Sequence, residues 1–148
     1  MRSIDTCRND MVLLGMPSGG TMGHDMGTFR VDVELENPAR PGERRTLRSL
    51  LVDTGALLSW VPAEVLESLG VERGERWRFR QANGTVLERR SGIAVLHVAG
   101  RRAVDEVVFG EPGDLILLGA RTLEGLNFRV DVTTMQLMDA GPAPAAAA

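Results

Sequence analysis

Short runs of alternating apolar and polar residues fill most of this chain. Each is closed within about ten residues by proline, glycine or asparagine, which suits strands and leaves no room for long helices. Phe29, Val31, Val33 and Leu35 alternate with Arg30, Asp32, Glu34 and Glu36, the signature of a strand with one buried face. Asn37 to Gly42 reads as a turn, and Thr46 to Val52 as a returning strand that ends at Asp53. Pro62 is expected to open a short helix over Ala63 to Leu69, closed by Gly70. From 76 to 82, Arg76, Arg78 and Arg80 alternate with Trp77 and Phe79, and Asn83-Gly84 then signals a hairpin that Thr85 to Arg90 completes. Further strands are expected at Ile93 to Val98, Ala103 to Phe109 and Leu115 to Leu118. A second short helix over Arg121 to Leu126 and a closing hairpin over 127–138 complete the reading. The expected fold is all-β, a single-domain closed barrel with one or two short helices.

The chain has 148 residues, enough for one domain with a sizeable core. Residues 1–25 carry loop formers and no sustained period, so they read as a flexible extension. The patterned domain spans 26–139, and 140–148 form a proline- and alanine-rich tail. The extension is read as inert, with a self-cleaved propeptide as the other option. All 17 basic residues are arginine, which excludes Schiff-base chemistry and a phosphate loop that needs lysine. Gly15 to Thr21 is glycine-rich but lacks the Gly-Lys pair and reads as a loop. Cys7 is the lone cysteine, so no intrachain disulfide forms. No apolar run approaches the ~20 residues of a membrane span, and Met11 to Leu14 is too short for a signal core; a cytoplasmic location is the expectation. The net charge of −3 speaks against nucleic acid as a partner.

One stretch carries chemistry. Leu51-Val52-Asp53-Thr54-Gly55-Ala56 delivers a carboxylate from the end of an apolar strand onto a tight turn, where it is both buried and reachable. Further on, Ile116-Leu117-Leu118-Gly119 is a second apolar run closed by glycine.

This order of segments resembles the retropepsin-like aspartic proteases over roughly Gly27 to Met138, and Leu123 to Asp131 looks more like the short bacterial and archaeal members than the viral ones. The resemblance implies Asp53 as the catalytic acid and Thr54, Gly55 and Ala56 as its supporting turn. It also implies Leu117, Leu118 and Gly119 packed beside that turn, and a substrate-covering flap with its tip at Ala82, Asn83, Gly84 and Thr85. Two positions depart from the family: Leu57 stands where members often carry a polar or acidic residue, and Ala120 where viral members carry arginine. Both halves of the viral dimer's salt bridge are thus missing together.

Hydrolysis by this route activates water between two carboxylates that share one proton. The chain has a single Asp-Thr-Gly; Asp105, Asp114 and Asp131 sit in other contexts, so the partner carboxylate is expected from a second copy across a two-fold axis. The expected protein is a homodimeric aspartic endopeptidase acting on peptides, without metal or organic cofactor. The alternative is an inactive dimerising or peptide-binding module on the same fold. His24-Asp25 lacks companion ligands, and His97 reads as a strand-surface residue. Trp60 and Trp77 are expected as core or pocket walls, with contact to substrate as the sharper option for Trp77. Arg73, Arg76, Arg78, Arg80, Arg89 and Arg90 around the hairpin read as a solvated face, with a preference for acidic substrate segments as the sharper option.

Overall fold

The computed structural model describes residues 29–146. Its strands are β1 (Phe29–Glu36), β2 (Arg44–Val52), β3 (Ser59–Pro62), β4 (Arg76–Arg80), β5 (Val86–Val98), β6 (Arg101–Gly110), β7 (Leu117–Leu118), β8 (Phe128–Asp131) and β9 (Gln136–Asp139). Two helices, α1 (Ala63–Ser68) and α2 (Ala120–Gly125), interrupt them. Pairing runs β1-β2-β7-β3-β6-β5, and β5 pairs again with β1, so six strands close into a ring. Closure explains how so small a chain hides its strand edges. β4 hangs from β5 at the end of the order, and β8–β9 form a separate hairpin.

The alternation in β1 works as expected: Val33 and Leu35 face the core. Between Val31 and Val33 the register with β2 slips, and Ser49 adopts φ 59° opposite, its amide donating to Asp32 Oδ1 at 2.9 Å. That bulge bends the hairpin onto the barrel. α1 ends as its sequence predicts. Gly70, at φ 78°, donates its amide to the Glu67 carbonyl and Val71 donates to Leu66 O, the paired bonds of a glycine-closed helix end.

Three local expectations change. The strands expected at Thr85 to Arg90 and Ile93 to Val98 are one continuous strand, β5, which starts at Val86. Gly92 lies inside it because a Cβ there would sit 2.7 Å from Glu72 O and 2.8 Å from the Phe109 ring; the glycine marks a close crossing, not a break. β3, unassigned from sequence, is four residues long and buried, so it shows no alternation to detect. The strand expected over Leu115 to Leu118 shortens to Leu117–Leu118, with Leu115 exposed. Residues 1–25, expected as a flexible extension, lie outside the described residues. The tail from residue 140 begins with two tethers: Ala140 N–H donates to Asn127 O, and Asn127 Nδ2 to Gly141 O.

Two apolar clusters fill the molecule. The larger occupies the barrel, with Leu35, Val52, Val61, Leu96 and Phe109 among its buried members. The smaller joins Ala56, Leu58, Trp60, Trp77, Phe79, Val108 and Leu117. In β4 the alternation turns Trp77 and Phe79 inward and the arginines out. Phe79 lies 4.8 Å from the Trp60 ring and 5.8 Å from Trp77. No helix is long and apolar enough to cross a membrane among the described residues.

Candidate active site

Asp53 directly follows Val52, the last residue of β2. Its amide donates to Leu118 O at 2.9 Å, and the ladder Leu51–Leu117, Val52–Leu118 runs parallel beneath it. β7 is held on its other side by β3 through Trp60–Leu117. The Leu-Leu-Gly segment therefore sits beside the Asp-Thr-Gly turn, wedged between two strands of the barrel. Ala120 N–H donates to Ala56 O at 2.7 Å and Arg121 N–H to Leu57 O at 3.1 Å, which zips the start of α2 to the far end of the turn.

The turn folds on its own carboxylate. Asp53 Oδ1 accepts the Gly55 amide at 2.9 Å, and the Asp53 carbonyl accepts the Ala56 amide. Asp53 is buried, Ala56 is buried, Gly55 is half-buried and Thr54 is exposed. Asp53 Oδ2 is buried and makes no hydrogen bond within the chain, the only such side-chain atom among the described residues. Burial raises the Asp53 pKa above the ordinary aspartate value, and the Gly55 amide partly offsets the rise.

A buried polar chain supports this arrangement. Gly119 N–H donates to Ser59 Oγ at 2.9 Å, Ser59 Oγ lies 2.7 Å from Thr122 Oγ1, and Thr122 donates to Asp105 Oδ2 at 2.9 Å. With the threonine proton committed to Asp105, Ser59 is the donor to Thr122. Asp105 also accepts the Glu106 amide and lies 3.6 Å from the Arg121 guanidinium. Burial raises its pKa, while Thr122, the Glu106 amide and Arg121 pull it back and Glu106 adds to the rise. Glu106 Oε2 accepts both Trp77 Nε1 and Ser91 Oγ, at the base of the β4–β5 hairpin, and Oε1 lies 3.8 Å from Arg121. Neighbouring carboxylates on β6 thus hold the floor of the site and the root of the hairpin. Sequence reading missed Ser59, Thr122, Glu106 and Arg121, and set Asp105 aside. The available signal was single or paired polar residues set within apolar segments, as Ser59 is between Leu58 and Trp60 and Asp105-Glu106 between Val104 and Val107. Thr122→Val, of nearly the same shape, is expected to orphan two buried groups and lower unfolding free energy by about 1–3 kcal/mol, read from urea melts.

Ala82, Asn83, Gly84 and Thr85 form the exposed tip of the hairpin. The tip bonds to itself: Gln81 N–H donates to Thr85 O, Gly84 N–H to Gln81 O, and Thr85 N–H to Asn83 Oδ1, with Gly84 at φ 91°. The hairpin's base carries its tie to the Asp53 turn, because Trp77, Phe79 and the partly buried Leu87 share a cluster with Ala56 and Leu58. Trp77 is fully buried, in keeping with its reading as core. His97 is likewise no simple surface residue: its Nε2 lies 2.6 Å from Glu36 Oε1, across the seam that closes the barrel. No three His, Cys, Asp or Glu side chains gather as a metal-ligand set among the described residues.

The family model described as gag-polyprotein putative aspartyl protease matches residues 45–125, over half of the chain. The chain belongs to this family. The matched segment of this retropepsin-like aspartyl protease family begins in β2 and ends with α2. It therefore contains the Asp-Thr-Gly turn, the β4–β5 hairpin, the Leu-Leu-Gly segment and the polar chain between them. No curated protein matches the chain.

Proposed function

We propose that this chain is an aspartic endopeptidase whose active form is a homodimer, with Asp53 of each copy meeting at the two-fold axis. The observation that carries this reading is the buried, unpartnered Oδ2 of Asp53 beside an exposed Thr54. A buried acceptor without a partner is costly, and a second carboxylate sharing one proton removes the cost. The raised proton affinity of Asp53 suits it to that sharing. The ionised member takes a proton from water as its oxygen attacks the scissile carbonyl carbon. The protonated member gives its proton to the carbonyl oxygen. Collapse then breaks the carbon–nitrogen bond: the protonated aspartate gives its proton to the leaving nitrogen while a hydroxyl of the tetrahedral intermediate returns its proton to the other aspartate, so the dyad again holds one. Thr54, exposed next to Asp53, would donate its hydroxyl to the partner's backbone and align the two turns. Substrate would lie extended between the floor and the hairpin tip at Ala82 to Thr85, which opens to admit it.

The test incubates the chain and its Asp53→Asn variant with a mixed peptide library across a range of pH. Cleavage confined to the unaltered chain supports the reading, and equal background cleavage by both removes it, leaving a dimerising or peptide-binding module. Sedimentation addresses the assembly: a strict monomer that still cuts would sink the shared-site mechanism.

A further inference from the structure

Strand β4 ends the sheet order and pairs only with β5, so its other edge is open among the described residues. Its sequence, Arg76-Trp77-Arg78-Phe79-Arg80, places three guanidiniums on the exposed face at a repeat of roughly 6.6 Å. The neighbouring cations are largely committed. Arg89 makes two bonds to Asp114, at 2.7 and 2.9 Å, and Arg73 holds Glu67 at 2.6 Å. Arg90 donates to Gly74 O. Among the described residues Arg76 reaches only Glu88, at 3.9 Å and well exposed, and Arg78 and Arg80 have no ion-pair partner. Arg76 lies directly opposite Arg90 in the β4–β5 register, a like-charge pairing that the exposed Glu88, 3.9 Å from Arg76, offsets only in part. Beside this pair is a groove of about 310 Å³, lined by Arg73, Arg76, Glu88, Arg89, Arg90 and Glu111. This concentration of positive charge stands on a chain whose net charge is −3.

We propose that the open edge of β4 binds an extended acidic peptide segment whose carboxylates, at alternate positions, pair with Arg76, Arg78 and Arg80. A strand added there has the same two-residue repeat as the arginines, so every second side chain falls beside a guanidinium. If the chain is the proposed endopeptidase, the segment belongs to the substrate and lies outside the cleft. Single-stranded nucleic acid fits less well. Trp77 and Phe79, the strand's aromatic residues, are fully buried and leave no ring for a base to stack on. Charges on an open edge also deter edge-to-edge association, but glutamate fills that role as well as arginine. Charge reversal therefore separates the two roles.

The experiment measures fluorescence anisotropy with the full chain carrying Asp53→Asn, so that no probe is cut. The probe is a labelled peptide with glutamate at alternate positions. Its glutamine counterpart and a single-stranded oligonucleotide of equal length serve as comparisons. Tight binding of the glutamate peptide at low salt is expected. Binding should weaken as salt rises and fall at least about tenfold in the Arg78→Glu/Arg80→Glu variant, which remains folded and soluble. Equal binding of the glutamate and glutamine peptides, or undiminished binding by the reversed variant, would overturn the proposal, as would preference for the oligonucleotide. In the unreversed catalytic chain, cleavage of a short neutral peptide should match that of the reversed variant, whereas KM for a substrate carrying the acidic stretch should rise on reversal. Binding without any cleavage by the unaltered chain would remove the protease reading and leave the edge site standing.

Discussion

Asp53→Asn is expected to abolish peptide cleavage and, at neutral pH, to raise the thermal stability of the protein. The first effect follows from the proposed roles. Each copy supplies either the base or the acid, each worth on the order of 100- to 10,000-fold, and asparagine supplies neither. The second follows from burial. Asp53 is buried, one of its oxygens has no hydrogen-bond partner among the described residues, and its proton affinity is raised. A group whose folded pKa lies above its unfolded value contributes stability that is complete below the unfolded value. That contribution is lost as pH rises through the folded one. The unaltered chain should therefore lose stability as the medium passes upward from the ordinary aspartate range, and Asp53→Asn should lose less. Asp105 shifts in the same direction and stays in the variant, so part of the slope remains. Asparagine keeps the bond from Gly55 but buries an amide donor in place of Oδ2, which limits the gain to about 1 kcal/mol. Thermal melts of both proteins at acid and neutral pH check this. Midpoints that differ equally at both would show that ionisation of Asp53 is not the cause.

Gly119→Ala is expected to be the most damaging single methyl addition near the site. A Cβ at 119 would stand 2.5 Å from Leu58 O, 2.7 Å from Leu58 C and 3.0 Å from Ala56 O. These are backbone atoms of the segment leaving the Asp-Thr-Gly turn, so no side chain can swing aside. The glycine's φ of −99° suits alanine, which makes the obstacle one of space alone. Relief requires Gly119 to back away from Leu58. That movement stretches its bond to Ser59 Oγ and the 2.7 Å bond from Ala120 N–H to Ala56 O. Overpacking of this kind costs about 3 kcal/mol. For a chain of this size the midpoint should fall by roughly 10 °C, with cleavage lost beyond what the remaining folded fraction explains. An unchanged melt would mean that the close crossing at Gly119 does not hold the site together.

Much of the barrel could be read locally. The period-two alternation of β1 and β4, the Asn83-Gly84 turn and the Pro62–Gly70 bracket around α1 each depend on a few adjacent residues. Where reading failed, the deciding neighbour was distant. The continuity of β5 between Arg90 and Ile93 was not legible because the backbone of Glu72 and the ring of Phe109, which explain Gly92 there, come from elsewhere in the chain. β3 escaped notice because burial on both faces removes alternation.

The sequence by itself determined that the chain is built of short strands, that one carboxylate stands on a tight turn at a strand's end, and that a Leu-Leu-Gly segment of matching family pattern follows. Only the tertiary structure decided what holds that carboxylate. Ser59, Thr122 and Asp105 meet although Ser59 and Thr122 are 63 residues apart. Asp53 Oδ2 is left without a partner among the described residues. Alternation and turn chemistry are set by neighbours along the chain, whereas the partners of buried polar atoms are set by which strands cross, and no local pattern records that crossing.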